Sequence, residues 1–457
     1  MPNSRMFLSV VLFWVAGIFG DAFAQSIETA IKLPPPASAR DLIYNPTSNK
    51  VYTANIPEGS MPPNRSVSII DGATNSVLTT VQVPEGPRDF CHNTVDNKIY
   101  VANYFADSVT VIDGKTDRIV AVLPAGDGPR ALCYNSVNNR VYCANEFSGS
   151  LTVIDAKADT VLKTIKVGST PRVICYNPVN NKVYCPNAGS QNLSVIDCST
   201  DAVTATVGTG NIPRGIVYNP SNNMVYCSNY GSDNVTVIDG NSNSVVATIP
   251  VGDGPTAVFH NPSGNKLYCS NVGSPGPGTP VSCTVSVIDC ATQKVIKSIV
   301  TGDEPTAFCY SPRNNKIYWA NEWSHNIAVA DAQRDSIIKV IPLGTTTVQP
   351  VDLCYNPVNE RVYSANRLTF EIGVIKDTIV VTSVGSAGPD VRPIKVFPNP
   401  VNGILYLPYR SDYTIYSLGG KTMKTGQDPV DKVDVFLLPK GIYTIRTRKG
   451  FARFVKE

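Results

Sequence analysis

Residues Pro213 to Pro255 read PRGIVYNPSNNMVYCSNYGSDNVTVIDGNSNSVVATIPVGDGP. Four short runs rich in β-branched and aromatic residues, Gly215 to Tyr218, Met224 to Ser228, Asn234 to Ile238 and Ser244 to Val251, alternate here with clusters of Asn, Ser, Asp, Gly and Pro. That is the pattern of short strands joined by tight turns, and it predicts a four-stranded antiparallel meander. Successive side chains of a strand point to opposite faces, so Val235 and Val237 bury one face while Thr236 and Ile238 line the other. Such a sheet needs a neighbour on each side, and the chain provides neighbours by repeating the unit.

The repeats are counted from the residue before Asn-Pro or its equivalent: Tyr44, His92, Tyr134, Tyr176, Tyr218, His260, Tyr310 and Tyr355, at intervals of 48, 42, 42, 42, 42, 50 and 45. An Asn then precedes an Asp, ten residues apart for Asn103 and Asp113 and farther apart for Asn55 and Asp71; in the eighth copy Lys376 stands ten after Asn366, where the Asp is due. Radial repetition of four-stranded sheets with this period is a β-propeller. The expected fold is all-β, an eight-bladed β-propeller with a seven-bladed ring as the alternative. Charged residues make up only 16% of the chain against 33 Gly and 35 Pro, so almost no helix is expected.

The first 24 residues read as an address. Arg5 gives a basic start, Met6 to Phe19 is apolar, and Ala22-Phe23-Ala24 is a small-residue cleavage site, together a secretory signal peptide. The apolar run is shorter than the roughly 20 residues a membrane span needs, so the mature chain is expected to be soluble and exported. A net charge of +3 on 457 residues gives no reason to expect nucleic acid or an anionic membrane as partner.

The runs VYTAN (Val51 to Asn55), VYCAN (Val141 to Asn145), VTVIDG (Val109 to Gly114 and Val235 to Gly240) and VGDGP (Val251 to Pro255) resemble the YVTN-type propeller repeats of surface-layer and quinoprotein-like proteins. The resemblance covers nearly all of residues 27 to 386 and implies a fold more than a function. The propeller is expected over 25–386, a linker over 387–393, and a small β-sandwich over 394–457. That tail resembles the type A sorting domain of the type IX secretion system, on Pro398-Asn399-Pro400, Tyr416-Ser417-Leu418-Gly419-Gly420 and Leu438-Pro439-Lys440-Gly441-Ile442-Tyr443. The resemblance implies passage through the periplasm and outer membrane by the type IX secretion machinery, with the protein attached to the surface or released. Ile27 to Leu33 reads like the fourth strand of a repeat and is expected to help close the ring in the eighth blade, hiding edges that would otherwise pair with other chains; Thr378 to Val384 is the other strand that could fill that position.

Insertions at Ile56 to Arg65, Val272 to Cys283 and Gly344 to Pro350 all fall in second-to-third-strand or blade-to-blade loops, which share one rim of the ring. Loops tolerate insertion cheaply, yet such a rim is often the binding face. On the same rim, just before the innermost strand, Arg recurs in five consecutive repeats as Arg40, Arg88, Arg130, Arg172 and Arg214, followed by Thr256, Thr306 and Val351. Either these guanidinium groups encircle one channel mouth and favour a carboxylate or phosphate, or, the commoner outcome, each ties down a neighbouring acid such as Asp41 or Asp89. Tyr104, Phe147, Tyr230 and Trp323, with Glu322, sit in equivalent loops and complement the arginines as a binding surface for a glycan or protein partner.

Other polar repeats read as structure. Asp71, Asp113, Asp155, Asp197, Asp239 and Asp289 end third strands, where a short carboxylate caps a turn, and they are too dispersed to hold a metal. Nine of the 12 cysteines take positions that other copies fill with Ile, Val, Phe, Thr, Trp or Ser, so buried thiols are expected at Cys133, Cys175 and Cys227; disulfides across the hairpins, Cys133 with Cys143 and Cys175 with Cys185, stay open. His92 and His260 replace the repeated Tyr, and His325 lies in a loop. No nucleophile elbow, phosphate loop or metal motif is present, and no cofactor is expected. The leading expectation is a non-enzymatic exported propeller binding a glycan, peptide or protein; a propeller enzyme, lactonase-like or quinoprotein-like, and an architectural surface-layer module are the alternatives.

Overall fold

The computed structural model describes residues 26–35, 38–56, 65–273, 283–344, 348–378, 392–393, 396, 401–417, 422–447 and 450–456. The expected signal peptide, the interiors of all three insertions and most of the linker lie outside these residues. The chain divides into two compact units, Met1–Ile379 and Val380–Glu457. Among the described residues there is no helix.

The first unit holds eight four-stranded antiparallel sheets, seven of them consecutive meanders. Residues 213–255 form the strands Pro213–Asn219, Met224–Asn229, Asn234–Asp239 and Val245–Pro250, as their pattern predicts. The eighth sheet is built from Gln349–Asn356, Arg361–Arg367 and Glu371–Lys376, and its fourth strand is Ile27–Lys32 from the other end of the unit. Ile31 and Leu33 at that strand are buried in one cluster with Val51, Tyr363 and Ile372, so ring closure rests on apolar burial as well as on the ladder.

Neighbouring sheets are joined by buried polar pairs that recur around the ring. The Tyr in the third position of every second strand (Tyr52, Tyr100, Tyr142, Tyr184, Tyr226, Tyr268, Tyr318 and Tyr363) is 0% exposed. A hydroxyl taken out of water must find a partner, and the turn of the next sheet supplies one: Tyr100 donates to Asp159 at 3.0 Å, Tyr142 to Asp201 at 2.6 Å and Tyr318 to Asp377 at 2.6 Å. The cation two residues earlier uses the same acids, Lys98 on Asp159 and Lys266 on Asp335. Tyr226 departs from the pattern: it accepts from Asn222 at 3.1 Å, and Asn222 passes the link on to the Cys290 carbonyl. A second ladder runs between Asn side chains, Asn45 to Asn97 at 2.8 Å, Asn135 to Asn181 at 2.8 Å and Asn219 to Asn265 at 2.8 Å. The eighth sheet meets the first through these same pairs, Tyr363 to Asn75 at 2.5 Å and Asn356 to Asn49 at 2.9 Å.

The third-strand aspartates cap turns as the sequence predicts: Asp239 accepts the Asn241 and Ser242 amides, each at 2.8 Å. Asn103, buried, ties its strand to Ser108 and Thr110. His92 and His260 reproduce the Tyr contact, with Nε2 at 3.3 Å from Asn97 and 3.4 Å from Asn265, where Tyr134 reaches Asn139 at 2.9 Å. The hairpin disulfides are corrected. Cys133 pairs in register with Tyr142 and Cys175 with Tyr184, so Cys143 and Cys185 are one residue out of step and project from the opposite face. All twelve cysteines are free thiols. Cys227 is fully buried and its thiol is pushed up to about 12 by burial, whereas Cys133 and Cys175, on innermost strands, retain some exposure, contrary to the sequence expectation.

The second unit carries one hydrogen-bonded sheet of five strands, in the order Arg392–Pro393, Gly450–Lys456, Gly441–Thr447, Ile404–Ser417 and Thr422–Asp434. In place of the two facing sheets of the expected sandwich, the described strands form this one sheet, with the two long strands shifted in register between Tyr406 and Ser411. One core draws on both of their halves, including Leu405, Val433, Ile415, Tyr443 and Phe454.

The inter-sheet pairs are expected to be energetically coupled. Tyr142→Phe leaves Asp201 short of a buried donor and should cost about 1–3 kcal/mol; Asp201→Asn should cost less in the Tyr142→Phe background than in the parent, as a double-mutant cycle in urea will measure.

The ring seam also titrates. Asp352 accepts the Leu42 amide of the first sheet at 2.8 Å, and Asp89 accepts Leu132 of the third at 2.5 Å. Asp41, between them in ring order, is held well above the usual carboxylate range by burial and by the charges of Asp352 and Asp89. An acid whose pKa is higher folded than unfolded binds more protons in the folded state, so its stabilising effect is full below the unfolded value near 4 and declines as the pH rises toward the folded one. Asp41→Asn is therefore expected to melt above the parent at pH 8, with the gap closing toward pH 4; a gap independent of pH would show that Asp41 carries no repulsion.

Candidate functional site

Each innermost strand but the short Cys175–Asn177 starts with a register shift, and in four sheets the extra residue is a candidate arginine: Arg40 lies between Ala39 and Asp41, Arg88 between Pro87 and Asp89, Arg130 between Pro129 and Ala131, Arg214 between Pro213 and Gly215. A bulge frees one residue from the alternation and re-aims its side chain. The blade-to-blade loop just before it is bound to the second-to-third-strand loop of its own sheet, Tyr104 N to Gly86 O at 2.7 Å and Glu146 N to Gly128 O at 2.8 Å. Arginines and rim aromatics are thus brought to the same end of the ring.

The arginines do not share one fate. Arg130 Nη1 and Arg172 Nε both donate to Glu146, at 2.7 Å each, and Tyr104 donates its hydroxyl to the same carboxylate at 2.8 Å. Burial alone would raise the Glu146 pKa, but Tyr104 and the two guanidinium groups hold it below the usual carboxylate range. Among the described residues no ion pair joins an arginine to Asp41 or Asp89, the acids that the sequence offered as partners; Asp89 instead serves the backbone amide of Leu132. Arg88 lies over the Tyr104 ring, 4.6 Å from its centroid, and Arg214 over Tyr230 at 4.2 Å. Among the described residues neither makes an ion pair. Burial, followed by the charges of Arg130 and Arg40, pushes the Arg88 pKa down to about 10; burial and then Arg172 and Arg130 lower that of Arg214. Arg40 lies within charge range of Arg88 and Glu322.

The aromatics form two groups. Phe105 and Phe147 flank Tyr104, with centroids at 5.0 and 5.5 Å. Trp323 belongs to the seventh sheet, half-way round the ring from Phe147, and lines a cleft of about 560 Å³ with Tyr230, Val272, Gly273, Cys283, Asp303 and Glu304. Glu322 beside it is paired with Arg367 at 2.8 Å, and burial raises its pKa. His325 donates its Nδ1–H to the Val348 carbonyl, 3.0 Å away. Sequence reasoning missed Glu146, Arg367 and Phe105. Glu146 and Glu322 follow the buried Asn at one shared repeat position, and that coincidence was the available signal.

A propeller with one interlocked rim and a separate terminal sheet invites comparison with known proteins. Residues 395–457 match the family described as a secretion system C-terminal sorting domain, and residues 115–249 match the family described as lactonase, 7-bladed beta-propeller. The chain is a β-propeller with a type IX sorting tail. The lactonase match spans about three repeats, and its described seven blades contrast with the eight sheets here. Among solved structures, Kuenenia stuttgartiensis hydrazine synthase aligns at TM-score 0.53 and 20% identity over 65% of this chain and 97% of that one. A functionally unknown protein from Desulfotomaculum acetoxidans aligns at TM-score 0.50 and 12% identity over 62% of this chain and 93% of that one. At these identities the likeness is one of fold. Among curated proteins no match was found. The sorting tail marks this propeller for export to the cell surface or beyond.

The rim loops interlock through glycine. Gly128 has φ +68°, and a Cβ placed on it would lie 2.7 Å from the Phe147 ring; Gly86, at φ +77°, stands in the same relation to Phe105. Where the preceding loop instead carries Thr170 or Ile212, themselves in the left-handed region, the facing loop supplies Gly189 or Gly231. Gly128→Ala is expected to cost about 1–3 kcal/mol through backbone strain and displacement of Phe147, while Gly208→Ala, with nothing within 4 Å, should be close to neutral; thermal melts of the two variants compare them.

Proposed function

We propose that this exported propeller is a non-enzymatic binding protein whose rim, over sheets one to five, holds an anionic partner. The observation that carries the reading is that Arg88 and Arg214 are stacked on tyrosines and make no ion pair among the described residues, although nearby arginines already disfavour their charge. A bound carboxylate or phosphate relieves that repulsion and meets a guanidinium fork bidentately. The partial lactonase match favours a rival reading as a hydrolase. Against it stands the use of Glu146, which is saturated by Arg130, Arg172 and Tyr104 and so is ill placed to move a proton.

Arg130 and Arg172 are poor choices for a test, because removing them strands the buried Glu146 charge. Arg88→Gln with Arg214→Gln breaks no ion pair. Because it also removes the repulsion from the neighbouring arginines, the double variant should keep the parent's melting temperature within about 2 °C and lose affinity for poly-L-glutamate by about tenfold at low salt, with the difference shrinking at high salt. Undiminished binding in the double variant, or hydrolysis of a lactone that the same changes abolish, would overturn the reading.

A further inference from the structure

We infer that the anionic partner is an acidic carbohydrate, a uronate- or sialate-type glycan whose sugar ring lies on Phe105 and Phe147 while its carboxylate meets Arg88. The inference rests on the anion-binding reading and names its ligand class. Phe105 and Phe147 are 64% and 63% exposed, yet neither is a loose surface side chain. Each ring is seated against the backbone of a left-handed glycine, Gly86 or Gly128, where only a missing Cβ makes room. Tyr104 packs between them. One face of each phenyl group is therefore fixed by the protein while most of its surface stays open to solvent, a preorganised apolar platform.

Arg88 completes the arrangement. Its guanidinium carbon lies over the Tyr104 ring, 4.6 Å from the centroid, and since no described acid pairs with it, its N–H donors can receive a planar carboxylate. Tyr104 itself is anchored through its hydroxyl to Glu146, which Arg130 and Arg172 hold in turn. An acidic peptide would engage the arginine but has no use for two flat, rigid rings. A pyranose ring offers a flat C–H face to an aromatic surface and, as a uronate or sialate, carries its carboxylate at the ring edge. Export to the cell surface or beyond places such glycans within reach.

The test uses the full chain and titration calorimetry with three probes: a panel of oligogalacturonate, glucuronate-containing and sialylated oligosaccharides, poly-L-glutamate, and a single-stranded oligonucleotide. The acidic oligosaccharides are expected to bind more tightly than their neutral counterparts. Phe105→Ala with Phe147→Ala should weaken the best oligosaccharide by about tenfold, from lost aromatic contact, and leave poly-L-glutamate within about twofold of the parent; Arg88→Gln should weaken both. An intact melting transition in each variant separates loss of contact from loss of fold. Oligosaccharide affinity unchanged by the phenylalanine substitutions overturns this inference and leaves anion binding standing. Tighter binding of the oligonucleotide, lost with the same substitutions, reassigns the platform to nucleobases and equally overturns it. Failure of every polyanion to bind removes the anion-binding reading as well.

Discussion

A tyrosine hydroxyl buried without a partner is costly, and this chain buries one in each of eight repeats. In seven of them the hydroxyl donates across the boundary, to an Asp or Asn side chain in the following sheet, and Tyr363 also accepts from Asn359 of its own sheet. No sheet is complete by itself. The requirement propagates around the molecule until Tyr363 meets Asn75 of the first sheet, and ring closure is then the condition under which each of these seven hydroxyls has its acceptor. Most of the partners, Asn75, Asp117, Asp159, Asp201, Asn243 and Asp335, have left-handed backbone, a conformation that Asn and Asp tolerate better than most residues. Turn geometry and inter-sheet bonding thus select the same residue types.

The rim inherits its order from the sheets. Because each innermost strand pairs with the strand that follows it, the loop entering the first and the loop leaving the second approach closely enough to exchange backbone hydrogen bonds and to set an aromatic ring against a glycine. The bulge at the head of the innermost strand turns an arginine toward this end in sheet after sheet. Among the described residues one buried carboxylate, Glu146, answers the arginines of the third and fourth sheets. Positive charge is therefore left in excess on either side of it, at Arg88 and Arg214, and the rim gains a polarity that no single repeat possesses.

Fold and site were unequally legible. The 42-residue period, the turn-capping aspartates and the equivalence of His92 and His260 to tyrosine could be read directly, since each depends on neighbours within one repeat. The hairpin cysteines could not: whether Cys133 faces Cys143 turns on a register offset of one residue, and side chains alternate with a period of two. Closure by Ile27–Lys32 was readable because that strand carries the texture of its repeat position, although its partners lie at the far end of the propeller sequence, at Glu371 to Ile375.

The sequence by itself determined the kind of sheet, the number of copies and the nature of the tail, because those are fixed by local turn chemistry and by repetition. Only the tertiary structure decided which arginines are engaged. Arg88, Arg130, Arg172 and Arg214 occupy one repeat position and are indistinguishable in sequence, but Glu146 reaches two of them from 16 and 26 residues away, and Tyr104 and Tyr230 take the other two. Ion pairing falls off with distance in space and is screened by solvent, so the partner of a charge is set by which loops converge, within one sheet for Arg88, Arg130 and Arg214 and across neighbouring sheets for Arg172. That convergence exists only once the strands have paired and neighbouring sheets have packed.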